Sequence, residues 1–184
     1  ALGRVAIGLA STFNAQHTAG FDLNGDPGTA FFTVAAPLVT ANSNNDTAST
    51  AVVDATISDV SALTTSDYRL AYDGSTSSYT LTRLSDNTTF SPITSGQTVD
   101  GVTITLSGTP AAGDSFLIRP TVNGASGFSV AITDPSLIAA AGAPGAVGDN
   151  ANALLLGALQ TANTLNGGTT TYQGAYSQIV SQIG

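Results

Sequence analysis

The sequence contains no cysteine, lysine, glutamate, methionine or tryptophan, and only one histidine. Without cysteine there is no disulfide framework, no thiolate zinc site and no cysteine nucleophile. Without lysine, and with four scattered arginines, the chain lacks the clustered cations that neutralise phosphates, which excludes electrostatic binding of nucleic acid. All 12 acidic residues are aspartate and the formal net charge is −8. Charged residues make up 9% of the chain, far below the roughly 25% of an average domain. Ala, Thr, Ser, Gly and Asn fill the balance, a surface that suits an exported or assembled protein better than a cytosolic enzyme. With 184 residues, 42% of them hydrophobic, the chain can bury one or two modest cores.

Long apolar runs are also missing. No window approaches the roughly 18 to 20 apolar residues of a membrane-spanning helix, so no membrane association is expected. The first apolar stretch, Val5 to Ala10, falls short of the roughly 7 to 15 residues of a secretory signal core, so no cleaved signal peptide is expected either.

Leu2, Val5, Leu9 and Phe13 recur at spacings of three and four, which predicts an amphipathic helix over Leu2 to His17, with Gly20 as its stop. From Phe31 to Thr133 the period changes to two. Val53, Ala55 and Ile57 alternate with polar residues, as do Tyr68, Leu70 and Tyr72, and further strands are predicted over Tyr79 to Leu84, Val102 to Leu106, Ser115 to Arg119 and Phe128 to Thr133. Asp73-Gly74, Asp100-Gly101 and Gly113-Asp114 mark turns. Thr40 to Thr50 is small, polar and aperiodic and predicts a mobile loop, while Ala139 to Gly148 reads as a linker.

Asp149 or Asn150 caps a second predicted helix, whose apolar face is Leu154, Leu155, Ala158, Leu159, Ala162 and Leu165 and whose end is Gly167-Gly168. A third helix runs from Tyr172 to Ile183, with Tyr172, Ala175, Tyr176, Ile179, Val180 and Ile183 as its stripe. Helices at both ends of an all-β middle predict an α+β fold: a β-rich domain, residues 23–136, inserted into a small helical bundle formed by the N- and C-terminal segments, 1–22 and 137–184.

Candidate chemistry is sparse. Asp22, Asn24 and Asp26 open with the spacing of an EF-hand calcium loop, but Pro27 stands where the glycine belongs and Thr33 where the bidentate glutamate belongs. An Asx- and glycine-rich turn is the plainer reading. His17 could act as a general base or as a structural histidine near a helix end; no nucleophile elbow, P-loop lysine or zinc helix accompanies it. Tyr68, Tyr72 and Tyr79 with Arg69 and Arg83 could form a sugar-binding face, although alternating strand aromatics are more often core; Arg119, before Pro120 at a strand end, carries no clearer role. No catalytic residue, cofactor site or metal site is assigned. The sheet edge remains a possible partner surface.

Read as one string, Asn14 to Phe32, NAQHTAGFDLNGDPGTAFF, resembles the FlgK family of flagellar hook-associated proteins. Asn14, His17, Gly20, Asp22, Leu23, Gly25, Gly28, Phe31 and Phe32 meet the family pattern at its spacing. GDSFLIRPT, Gly113 to Thr121, resembles a recurring β-domain signature, and YSQIVSQIG, Tyr176 to Gly184, resembles the segment before the family's C-terminal helix. The resemblance implies a helical inner domain assembled from both sides of the sequence and carrying an outward β-rich domain. It implies a structural role without reaction or cofactor: an extracellular junction ring between flagellar hook and filament, exported by the flagellar secretion route without a cleaved signal. The implied partners are hook protein on one side and the second junction protein, FlgL, on the other. The long terminal helices that polymerise in this family are not in the sequence, so the isolated chain is expected to be monomeric. A secreted adhesin or carbohydrate-binding module is the alternative.

Overall fold

In the computed structural model, which describes residues 1–183, α1 spans Leu2–Thr18. Its fully buried face is not the stripe of large residues. Gly3, Ile7, Ala10 and His17 face inward, while Val5, Leu9 and Phe13 are half-buried and Leu2 is exposed. Glycines share the inner face with Ile7 because other groups pack directly on it: a Cβ on Gly8 would stand 2.7 Å from the Leu165 side chain, and one on Gly124 would stand 2.3 Å from the Gly3 carbonyl. The face is set by close approach rather than by side-chain bulk.

Between Ala36 and Asn123 the chain forms one of two compact units, made of eight antiparallel strands. β1 (Leu38–Ala41), β3 (Tyr68–Asp73), β4 (Ser78–Arg83), β5 (Thr89–Ile93) and β8 (Ser115–Arg119) make a sheet in the order β1-β8-β3-β4-β5. β2 (Val52–Ile57), β6 (Gln97–Val99) and β7 (Val102–Ser107) make a second in the order β2-β7-β6. Period-two alternation puts Tyr68 and Leu70 inward from β3 and Val102 and Ile104 inward from β7. Tyr68, Leu81 and Ile118 of the first sheet share one interior with Val99, Val102 and Ile104 of the second, with no space for a water. β1, β5 and β6 escape sequence reading because edge strands of three to five residues bury one face weakly.

The loop after β1 is pinned rather than free. The Asn45 side-chain amide donates to the Ser115 carbonyl at 3.0 Å and accepts from its N–H at 2.8 Å, and the Asp46 N–H donates to Asp114 at 3.1 Å. Hydrogen bonds to β8 hold a segment that has no apolar area with which to hold itself.

The other unit joins Ala1–Ala35 to Gly124–Gly184. The division thus falls at 35/36 and 123/124 instead of 22/23 and 136/137, because the arms flanking the β unit pair with each other: Thr33 N–H donates to Ser129 at 2.9 Å and Ala131 N–H to Phe31 at 2.7 Å. The strand expected over Phe128 to Thr133 reduces to that pairing, a single bridge between Phe32 and Val130, since no further strand lies beside it to extend a ladder. Next come a 3-10 turn at Pro135–Leu137, α2 (Ala151–Ala158) and α3 (Tyr172–Ile183).

α2 stops well before Leu165. From Leu159 to Ala162 the bonds run three residues back, the tightening typical of a fraying end, and Asn163 and Thr164 favour turns over helix. Leu154 and Leu155, expected on its apolar face, are exposed, whereas Leu165 is buried in a turn closed against Thr170. Asp149 takes the capping bond, accepting from Ala151 N–H at 2.9 Å from one position ahead of the N-cap residue Asn150. α3 turns Ala175 inward and leaves Tyr176 and Val180 exposed; the Ile183 side chain and Gly184 lie outside the described residues.

Candidate functional site

The motif Asn14 to Phe32 is a clamp at the exit of α1. Asn14, three-quarters along the helix, presents a carboxamide with the same donor and acceptor as a peptide group. Its Oδ1 accepts from the N–H groups of Phe31 and Phe32, both at 2.8 Å, and its Nδ2 donates to the Phe32 carbonyl at 2.7 Å. A helical side chain thereby serves as the strand partner of the returning chain.

One turn later His17 is fully buried and both of its nitrogens are occupied. The Ala139 N–H donates to Nε2 at 2.9 Å, so Nδ1 carries the proton and donates to the Thr29 carbonyl at 2.7 Å. One imidazole thus ties helix, return segment and the distant C-terminal arm. Asn152, at 2% exposure, completes the grip: its Nδ2 donates to the Ala139 carbonyl at 2.7 Å while its Oδ1 accepts from Gln16 at 2.7 Å. Ala139 is held through its N–H by His17 and through its carbonyl by Asn152. Sequence reasoning missed Gln16, Ala139 and Asn152, which show no pattern until the two arms meet.

The glycines make room for this contact. Gly20 does not stop the helix through a left-handed conformation; a Cβ there would stand 2.1 Å from Asn152 Nδ2. A Cβ on Gly28 would stand 2.2 Å from the His17 carbonyl. Gly25, with φ of 84°, does need left-handed freedom.

Asp22 organises the turn that Gly25 closes. Its Oδ1 accepts from the N–H groups of Asn24 at 2.8 Å and Asp26 at 3.0 Å. Burial pushes the carboxyl up, but the bonds from Asp26 and Asn24 outweigh that and hold it below the usual carboxylate range. The carboxylate is spent on the backbone, which is the Asx-turn reading rather than the calcium one; among the described residues no cluster of three or more His or Asp side chains could hold a metal. Leu23 is 83% exposed and takes part through its backbone, whose N–H donates to the Ser136 carbonyl at 3.1 Å. Phe31 and Phe32 form an aromatic cluster with Phe13, His17 and Phe128, at centroid separations from 4.8 to 5.3 Å for the pairs Phe31–Phe32, Phe32–Phe128, Phe13–Phe31, Phe13–Phe32 and His17–Phe31.

The residues of the sugar-face alternative go elsewhere. Tyr68 and Tyr79 are buried in the β unit, and the Tyr68 hydroxyl donates to Asp100 at 2.8 Å. Arg83 pairs with Asp86 at 2.7 Å and Asp100 at 2.9 Å, Arg119 with Asp67 at 3.3 Å, and Arg69 is exposed at the surface of β3. His17 in turn has no nitrogen left for a substrate proton. Fold and site together define a class of architecture: a discontinuous helical unit, its two chain arms clamped to each other, with a β unit inserted between them in sequence.

Comparison with known proteins agrees. The family model described as the flagellar hook-associated protein FlgK helical domain matches residues 1–32, and that described as the flagellar hook-associated protein 1 D2-like domain matches residues 40–120. Flagellar hook-associated protein 1 of Escherichia coli K12 is 38% identical over 187 aligned residues, covering 100% of this chain and 34% of that protein. Its counterpart in Salmonella typhimurium is 34% identical over 193, with the same coverage of each chain. The solved structure of the flagellar hook junction protein FlgK from Burkholderia pseudomallei superposes with a TM-score of 0.84 at 26% identity, over 99% of this chain and 54% of that one. The chain belongs to the FlgK family of flagellar hook-associated proteins. It spans about a third of the length of the curated relatives it matches.

Proposed function

We propose that this chain is part of a structural protein of the bacterial flagellum that forms the junction between hook and filament. The observation that carries the reading is the His17 and Asn152 clamp on Ala139, standing in a chain that matches FlgK over its whole length. A junction between two mechanically different lattices needs a part whose two chain arms cannot slide past each other under load. A backbone segment bonded at both its N–H and its carbonyl resists that shear.

In the assembly hook protein lies on one side and FlgL on the other, and the lysine-free β unit faces the medium. The helical unit, residues 1–35 with 124–184, belongs to the inner part of the junction, and the segments of the whole protein outside this chain polymerise it. The chain's role is structural rather than catalytic, a reading supported by the one histidine being committed to the backbone through both nitrogens. Export follows the flagellar route.

Deleting the gene tests the reading: cells are expected to build hooks without attached filaments and to lose motility, with both restored by the intact gene. Filaments attached normally in the deletion strain would refute it.

A further inference from the structure

Three Asn-Gly pairs occur in the chain, at 24–25, 123–124 and 166–167. In such a pair the backbone nitrogen of glycine can reach the side-chain carbon of asparagine with no Cβ in the way. The three sites are built differently. At 24–25 the Gly25 N–H donates to the Asp22 carbonyl at 3.1 Å and the Asn24 amide to the Asp22 carboxylate at 3.3 Å, which holds both reacting groups in place. At 123–124 the glycine is buried so tightly that a Cβ would stand 2.3 Å from the Gly3 carbonyl.

The third pair is exposed and open. Asn166, Gly167 and Gly168 all have positive φ, at 52°, 65° and 80°, nothing stands within 4 Å of a Cβ position on Gly167, and the Gly167 N–H donates to no described group. The Asn166 side chain is nevertheless oriented: Arg4 Nη1 donates to its Oδ1 at 2.5 Å and its Nδ2 donates to Thr170 Oγ1 at 3.0 Å. A cation therefore sits on the carbonyl oxygen where negative charge would develop if Cγ were attacked.

We propose that Asn166 is a deamidation site in which Arg4 polarises the side-chain carbonyl and then receives the product carboxylate. Hydroxide removes the Gly167 amide proton and the nitrogen attacks Asn166 Cγ. The new N–Cγ bond pushes the carbonyl electrons onto Oδ1, where the Arg4 guanidinium meets them as donors do in an oxyanion hole. The carbonyl re-forms, the Cγ–Nδ2 bond breaks, and the nitrogen leaves as ammonia after taking a proton from water. Water then opens the five-membered succinimide, its hydroxyl going to a ring carbonyl and its proton to nitrogen, to give aspartate or isoaspartate. The net change is asparagine plus water to aspartate plus ammonia, with no redox partner. A bond from a cation to a neutral amide, between the start of α1 and the 165–170 turn, becomes an ion pair.

The test is peptide mapping by mass spectrometry of the intact chain during incubation in mildly alkaline buffer, following all three Asn-Gly pairs. Asn166 is expected to convert first, Arg4→Gln to slow it severalfold, and Arg4→Lys, which keeps a cationic donor, to retain more of the rate than Arg4→Gln. The product mimic Asn166→Asp is expected to melt no lower than the parent. Conversion of Asn24 or Asn123 as fast as Asn166, equal rates in the parent and Arg4→Gln, equal losses in the two Arg4 variants, or a lowered melting point for Asn166→Asp would overturn the proposal.

Discussion

Asparagine does the work of backbone at three places. Asn14 pairs with Phe31 and Phe32, Asn45 with Ser115, and Asn152 with Ala139, each through a carboxamide that copies the peptide group. Truncating Asn14 to alanine strips partners from two N–H groups and a carbonyl in a partly buried site. Asn14→Ala is expected to cost about 2 to 4 kcal/mol, read by denaturant unfolding, whereas Leu23→Ala in the same motif, at an exposed residue, should stay within about 0.5 kcal/mol. Equal effects would show that the motif's spacing, rather than its bonding, is what matters. Asn14, His17, Asp22 and the glycines were legible in the sequence as a motif; their partners were not. Asn152 and Ala139 acquire their roles only when a segment more than a hundred residues away comes back to α1, and no local pattern encodes that distance.

At the scale of elements, local periodicity located three helices and the longer strands but misjudged what each helix buries. The large residues of α1 suggested one face, and close approach over Gly3, Gly8 and Ala10 selected another. In α2 the leucine run read as a buried stripe, yet Leu154 and Leu155 are exposed and the buried leucine is Leu165, beyond the helix end. The contrast is measurable: Leu165→Ala should destabilise by about 2 to 5 kcal/mol, while Leu154→Ser in the isolated chain should change stability by no more than about 0.5 kcal/mol. A large loss at Leu154 with none at Leu165 would reverse this assignment. The loop after β1 shows the same limit from the other side, since its composition gives no sign that Asn42 to Asp46 will find bonding partners on β8.

Across the whole molecule, aspartate is the only acid, and several aspartates are engaged in the folded state. Asp86 is held low by Arg83, Asp114 by the Ser49 hydroxyl and the Ala111 N–H, and Asp149 by the N–H groups of Ala151 and Gly142. Each folded carboxyl titrates below its unfolded counterpart, so each contributes stability that is complete above the unfolded value of about 3.9 and disappears as the pH falls through the lower folded values. The melting temperature is therefore expected to drop as the pH falls below about 4, and a midpoint that rises on acidification through that range would contradict these assignments. The α+β architecture was legible at this scale because helical and strand periodicities change over along the chain; the unit boundaries were not, because they depend on arms that pair only after folding.

The proposed junction role is tested most directly by immunogold electron microscopy of the source cells with antibodies raised against this chain. The account predicts label confined to a narrow band between hook and filament. Label spread over the cell body, or along hook or filament with none at their boundary, would contradict it.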